Sequence, residues 1–249
     1  MRIAALYDIH GNLPALEAVV RDVRAQDVDQ IVIGGDVLPG PLPCEALEYL
    51  FDLDIPMRFI CGNGDRMVLE HIAGKIEGIP EQARAWVGWT AQQLGTEHQK
   101  VVSSWLPDLR LEIDGLGEVL FCHATPRNDT EIFTRLTSEE KLRPVFAGVN
   151  ADVVVCGHTH MQFDRMVGRT RVVNSGSVGM PFGEPGAYWL LLAPEVSLRC
   201  TSYDVSAAAD LIAESDFPGA AAFADGYIRR PPTESFMLET YGRAELKQR

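Results

Sequence analysis

Asp8-Ile9-His10-Gly11-Asn12 follows directly on the apolar run Ile3-Ala4-Ala5-Leu6-Tyr7. An apolar run that short, closed by polar residues and glycine, predicts a buried strand. Side chains alternate faces along a strand, so Asp8 and His10, two apart, can point the same way at its end. A carboxylate beside an imidazole is half of a metal site. The arrangement recurs at four further apolar runs. Ile31-Val32-Ile33-Gly34-Gly35 ends in Asp36, Met57-Arg58-Phe59-Ile60-Cys61-Gly62 in Asn63, and Val119-Leu120-Phe121-Cys122 in His123. Val153-Val154-Val155-Cys156-Gly157 opens into His158-Thr159-His160. Open α/β sheets build their sites outside the carboxyl ends of the strands, and these five ends carry two Asp, one Asn and four His.

Between the runs lie helical patterns, so βαβ units and a parallel sheet are expected. Asn12 is placed to cap a helix with Pro14 in its opening turn and Leu13, Leu16, Val20 and Val23 on one face. The stiff turn Pro39-Gly40-Pro41-Leu42-Pro43 precedes a helix carrying Ala46, Leu47, Leu50 and Phe51. Residues 66–106 hold helical patterns around Trp86, Trp89 and Leu94 and read as a helical insertion, with His71 and His98 as surface or packing residues rather than ligands. Leu109-Arg110-Leu111-Glu112-Ile113 alternates like a half-exposed strand that turns through Asp114-Gly115. Thr137-Ser138-Glu139-Glu140 reads as a capping box for a helix closing near Gly148. Beyond the His pair, 163–167 and 170–173 form a predicted hairpin, followed by strands at 187–192 and 196–203, making the second half mainly antiparallel. The main domain is expected to span 1–204. Residues 205–249 form a helical or extended tail expected to pack on its outside.

The chain has 249 residues and a hydrophobic content of 46%, enough for one sizeable domain. Its 35 acidic and 22 basic residues give a net charge of -13, a field that repels polyanions and argues against non-specific nucleic-acid binding. The five cysteines form no C-x-x-C pair, which fits a reducing, cytoplasmic setting. A signal-peptide pattern and a membrane-spanning run are both lacking.

Seven ligands, Asp8, His10, Asp36, Asn63, His123, His158 and His160, exceed one tetrahedral ion and suit two adjacent ions sharing a carboxylate, with Asp36 as the natural bridge. A mixed nitrogen and oxygen set without thiolate favours two divalent transition-metal ions, manganese first, with Fe, Zn, Ni or Co also compatible. Two such ions against two carboxylates leave a surplus of about two positive charges, which would bind an anion. Water between the ions would ionise near neutral pH and attack, so hydrolysis of a phosphate ester is expected.

Asp8-x-His10, Gly35-Asp36, Gly62-Asn63, His123 and Gly157-His158-x-His160 resemble the motif series of calcineurin-like metallophosphoesterases, from the N-terminus to about Pro181. With Asn174-Ser175-Gly176-Ser177-Val178-Gly179, the pattern is similar to the small bacterial and archaeal phosphodiesterase subgroup. The resemblance implies a four-layer αββα sandwich of two mixed β-sheets flanked by helices. It also implies one ion on Asp8, His10, Asp36 and His160 and another on Asp36, Asn63, His123 and His158. Asp36, Asn63 and His123 are the candidate catalytic residues. Many members carry a proton-donating His where this chain has Gly64, so activated diesters or dinucleoside polyphosphates are expected over alkyl monoesters. Arg66 and Arg127 are candidates to grip a substrate phosphate. The 176–179 loop reads as a tight turn rather than a phosphate cradle. Two alternatives stand beside the diesterase reading: a phosphomonoesterase or nucleotidase, and a non-catalytic protein-binding scaffold, since the retromer subunit with this fold is similar to these enzymes.

Overall fold

Strand β1 (Ile3–Leu6) pairs in parallel with β2 (Gln30–Ile33), and β2 with β3 (Met57–Phe59), in the computed structural model, which describes residues 1–246. On its other side β1 pairs antiparallel with β9 (Ala187–Ala193), which pairs with β10 (Glu195–Thr201), giving a mixed sheet ordered β10-β9-β1-β2-β3. A second sheet has the order β4-β5-β6-β8-β7, from β4 (Asp108–Ile113), β5 (Gly117–Cys122), β6 (Val153–Cys156), β7 (Phe163–Val167) and β8 (Thr170–Asn174). The hairpins β4-β5 and β7-β8 are antiparallel, as the alternation predicted. The pairs β9-β10 and β1-β9 are antiparallel too, so the second half is mainly antiparallel, with β5-β6 and β6-β8 as its parallel pairs.

The apolar runs explain the layering. Ile3, Ala5 and Tyr7 face the second sheet, with Val119, Phe121, Val153 and Val155, whereas Ala4 and Leu6 face a helical layer. A strand buried on both faces must be apolar throughout, which is why these runs do not alternate. Helices α1 (Leu13–Arg24) and α2 (Pro43–Phe51) cover the first sheet. Helix α6 (Glu139–Phe146) covers the second, where Leu142, Val145 and Phe146 meet Leu120, Cys122 and Val154. The layers are therefore α, β, β, α, and the expected sandwich is the observed fold.

Asn12 caps α1, its Oδ1 accepting from Ala15 N at 3.2 Å. The predicted capping box on α6 does not form. Ser138 is the residue at the helix entry and its side chain caps nothing, while Thr137 Oγ1 accepts from Thr134 N at 2.9 Å in the preceding turn. Residues 66–106 hold helices joined by turns and no strand beyond an isolated bridge at Leu106. They comprise most of α3 (Asn63–Ile72), then α4 (Arg84–Gln93) and α5 (Thr96–Ser103).

After β10 the chain forms α7 (Val205–Ala213), α8 (Ala220–Phe223), a π-helical turn at Ala224–Arg229 and α9 (Glu234–Ala244). Trp86 and Trp89 of α4 pack against the tail's buried Phe217, Phe223 and Ile228, and Trp86 Nε1 donates to Pro218 O at 3.1 Å. Among the described residues no helix is long and apolar enough to cross a membrane.

Candidate metal centre

All seven predicted ligands lie at strand carboxyl ends, and the two sheets bring them together. The first sheet supplies Asp8, His10, Asp36 and Asn63, and the second supplies His123, His158 and His160. Beyond their last paired residues, β1 and β2 continue side by side, with Asp8 N donating to Gly35 O at 3.0 Å and His10 N to Asp36 O at 3.0 Å. The sheets are stitched at the same level, where His158 N donates to Asp8 Oδ2 at 2.9 Å.

Two groups of donor atoms result, Asp8 with His10 and His160, and Asp36 with His123 and His158. Asp8 Oδ1 lies 3.3 Å from His160 Nε2, and His10 Nε2 lies 3.3 Å from His160 Nε2. Asp36 faces both groups, Oδ2 at 3.7 Å from His10 Nε2 and Oδ1 at 3.5 Å from His123 Nε2. The amide atom of Asn63 that faces the second group is 3.0 Å from His123 Nε2 and 2.8 Å from His158 Nδ1.

Three observations test whether these residues fit a cation. First, Asp8 is fully buried and its Oδ1 has no hydrogen-bond partner, a costly state for a carboxylate oxygen. Second, the outer ring nitrogens face backbone carbonyls: His10 Nδ1 to Pro39 O at 3.1 Å, His123 Nδ1 to Gly34 O at 2.9 Å and His160 Nδ1 to Met180 O at 2.6 Å. Each carbonyl accepts from the imidazole N–H, which leaves the Nε2 lone pair turned inward, the tautomer a metal ligand needs. Third, the Asn63 amide faces two imidazole nitrogens and the Asp129 carbonyl. Without a cation that position suits an N–H donor; with one it suits the amide oxygen. The donor set fits divalent metal.

Burial disfavours every charge here, and close partners decide the outcome. It pushes the Asp36 carboxyl up, but His123 outweighs this and holds it well below the usual carboxylate range. Without a cation, His123 is lowered by burial and raised more strongly by Asp36, reaching about 10; a cation on Nε2 would take the place of that proton. Burial, helped by His123, takes His158 down to about 4.

Five of the seven candidate ligands, Asp8, His10, Asp36, His158 and His160, have left-handed backbone, with φ between 47° and 65°. Asp, Asn and His tolerate that region better than other residues bearing a Cβ, and strain of this kind gathers at functional sites. The close turns leave no room for side chains. A Cβ at Gly62 would lie 2.2 Å from Asp36 Oδ1, and one at Gly64 would lie 2.2 Å from Leu38 O. A histidine cannot therefore be accommodated at position 64 without moving backbone.

Asp65 was not expected. It is fully buried and accepts from Asp36 N at 2.8 Å, Leu38 N at 2.9 Å and Gly62 N at 2.9 Å, tying the loop after β2 to the start of α3. Burial first, then the Asp36 charge, pushes its carboxyl up to about 8, against three N–H donors that favour the ionised form. The available signal was an acidic residue three positions after Gly62, where a helix entry accepts one.

Ser177 and Asn174 have similar holding roles. Ser177 Oγ donates to Asp8 O at 2.7 Å, and Asn174 Nδ2 donates to Gly157 O at 2.6 Å. In the 176–179 loop the Val178 and Gly179 amides donate to Tyr7 O and Asp8 O, so those two are committed to the β1 loop.

The two arginines stand apart from the ligand groups. Arg66 donates from Nε to Asp129 at 2.6 Å, from NH2 to Asp129 at 3.0 Å and from NH1 to Glu70 at 3.0 Å. Arg127 pairs with buried Glu131, its Nε at 3.2 Å from Oε2. Both line a cavity of about 480 Å³ that touches His123, with their forks turned to carboxylates. Each guanidinium, expected from its position after Asn63 or His123 to grip a substrate phosphate, is thus paired with a carboxylate here. His71 packs beside Gly88 of α4 and His98 near Glu48 and Phe51, as packing residues would.

The calcineurin-like phosphoesterase superfamily domain matches residues 1–195. The uncharacterized protein MJ0912 of Methanocaldococcus jannaschii is 28% identical over 197 residues, covering 72% of this chain and 76% of the relative. Among solved structures, a metallophosphoesterase from Sphaerobacter thermophilus is 26% identical with a TM-score of 0.70, covering 90% of this chain and 98% of its own. The hypothetical protein PH1004 from Pyrococcus horikoshii OT3 shares the fold, with a TM-score of 0.78 at 21% identity, over 93% of this chain and 99% of that one. Sequence, fold and donor geometry agree, and the chain belongs to the calcineurin-like phosphoesterase superfamily.

Proposed function

We propose that this protein hydrolyses small phosphate esters, phosphodiesters first, with two divalent transition-metal ions, manganese foremost. Asp8, His10, Asp36 and His160 would hold one ion and Asp36, Asn63, His123 and His158 the other. When bound, such ions supply the positive charge that holds a phosphate and acidify water enough for attack near neutral pH. The observation that carries the reading is the inward convergence of lone pairs from both sheets around an unpartnered, buried Asp8 Oδ1.

The chain's own residues do the placing. Asp36 presents one oxygen to each group of donors, and Gly64 N donates to Asp36 Oδ1 at 2.6 Å, fixing the carboxylate's plane. Hydrolysis forms a P–O bond from water as the P–O bond to the departing arm breaks, and that arm's oxygen needs a proton or must leave as an anion. Gly64 has no side chain to give one. Esters whose arms leave as stable anions are therefore favoured. Arg66 and Arg127 act in this reading as holders of Asp129 and Glu131, with Asp129 O facing the Asn63 amide. The cysteine pattern supports a cytoplasmic setting.

The test is hydrolysis of bis(p-nitrophenyl) phosphate and p-nitrophenyl phosphate by chelator-stripped protein with and without Mn. Turnover is expected only with metal, faster for the diester, and across a series of aryl diesters to fall steeply as the leaving phenol's pKa rises. A faster monoester would favour the phosphatase alternative; silence with every divalent metal would favour the scaffold.

A further inference from the structure

A cavity of about 400 Å³ opens directly on the ligands, with His10, Asp36, Asn63, His158 and His160 in its floor. Its walls come from three other places: Met67 and Trp86 of the helical segment, Phe182 after β8, and Tyr227, Phe236 and Tyr241 of the tail. Phe182 stacks on His160, ring centroids 5.0 Å apart and planes 17° apart, and Tyr241 meets Phe182 edge-on at 6.0 Å. Phe236 stays 61% exposed at this wall, unusual for a phenylalanine that contributes to no core. The tail is anchored rather than loosely laid on. Gly183 N donates to Pro232 O at 2.9 Å, and Met237 and Leu238 pack on Met161.

Charge sorts what this space can accept. Among the described residues lining the cavity none is lysine or arginine, and its ionisable acids and imidazoles are the ligands themselves. A second phosphate or a carboxylate on the substrate, held away from the ions, would lose its water here with no lysine or arginine in return. An uncharged ring would instead find aromatic faces and edges, and lose only apolar contact with water.

Resting on the phosphoesterase reading above, we propose that the tail roofs the centre to select esters carrying one phosphate and an uncharged aromatic arm, and that Phe236 and Tyr241 recognise the arm. Dinucleoside polyphosphates, with several anionic groups in line, fit this cavity worse than a singly charged aryl diester. The walls at 227–241 also lie beyond residues 1–195, where the match to the family domain ends.

The test measures binding of phosphonates, which carry no ester bond to cleave, to the full Mn-loaded chain by calorimetry. Phenylphosphonate is expected to bind about tenfold tighter than methylphosphonate, and 4-carboxyphenylphosphonate to lose that advantage. Phe236→Ala with Tyr241→Ala should bring the phenyl and methyl compounds to within about twofold, and Phe236→Ala alone, at an exposed position, should narrow the gap without affecting folding. Equal binding of the two phosphonates to wild type, or full selectivity kept in the double variant, overturns the proposal. Hydrolysis without phenyl preference removes the roof's role and leaves the reaction standing. Phenyl preference without any ester hydrolysis does the reverse.

Discussion

Three backbone N–H groups converge on Asp65, so its carboxylate sets the path of the chain through Asp36, Leu38 and Gly62 without facing the donor groups itself. Asp65→Asn would set an amide NH2 against N–H donors. It is expected to cost about 1–3 kcal/mol of stability and to weaken Mn binding about tenfold, read by thermal unfolding and metal titration; an unchanged metal affinity would confine Asp65 to folding. At this scale the candidate ligands were legible because Asp, His and Asn ending apolar runs are conspicuous. Their left-handed backbone was not, since nothing in the letters around Asp8 or His158 reports φ. Nor did the letters show that Gly34 and Gly157 are shaped by Tyr7, whose ring would meet a Cβ on either at 2.0 and 2.5 Å.

Among the elements, the strands read well and their pairing less so. Ile3 to Tyr7 announces a strand buried on both faces, but that it lies between β2 and the distant β9 depends on contacts far away in the chain. The α6 cap failed for a local reason: Thr137 Oγ1 was already taken by the turn from Thr134. The loop after β5 yields a prediction. Glu131 is only 1% exposed and accepts from Thr125 Oγ1 at 2.6 Å as well as from Arg127. Arg127→Ala would leave that buried carboxylate short of its cation, at a cost of about 1–3 kcal/mol, with the guanidinium's partial exposure limiting the loss. A lowered Tm with kcat/KM nearly unchanged is expected, and the opposite pattern would restore a substrate role.

Across the whole molecule, the donors come from both sheets, and the polar contacts between the sheets include Tyr7 OH to Val155 O at 3.2 Å, Ser175 Oγ to Ala5 O at 3.1 Å, His123 Nδ1 to Gly34 O at 2.9 Å and His158 N to Asp8 Oδ2. Ions held by Asp8 and His160 together would clasp the sheets. Metal at a hundred times its Kd is expected to add about 2.7 kcal/mol, a rise of roughly 5–10 °C in Tm for a chain of this size. Asp36→Asn should abolish most of that rise, as calorimetry with and without Mn would show. The strands were legible from apolar runs and the sandwich from the resemblance that the motifs carry, whereas the destination of the tail was not, because Ala-rich helices carry no address. Every candidate ligand precedes residue 161, and Tyr227, Phe236 and Tyr241 follow residue 204. Chemistry and taste are thus written in separate paragraphs of the chain. A graft of residues 205–246 from a relative, provided it brings a seat for Trp86, should transplant preference while leaving turnover chemistry behind.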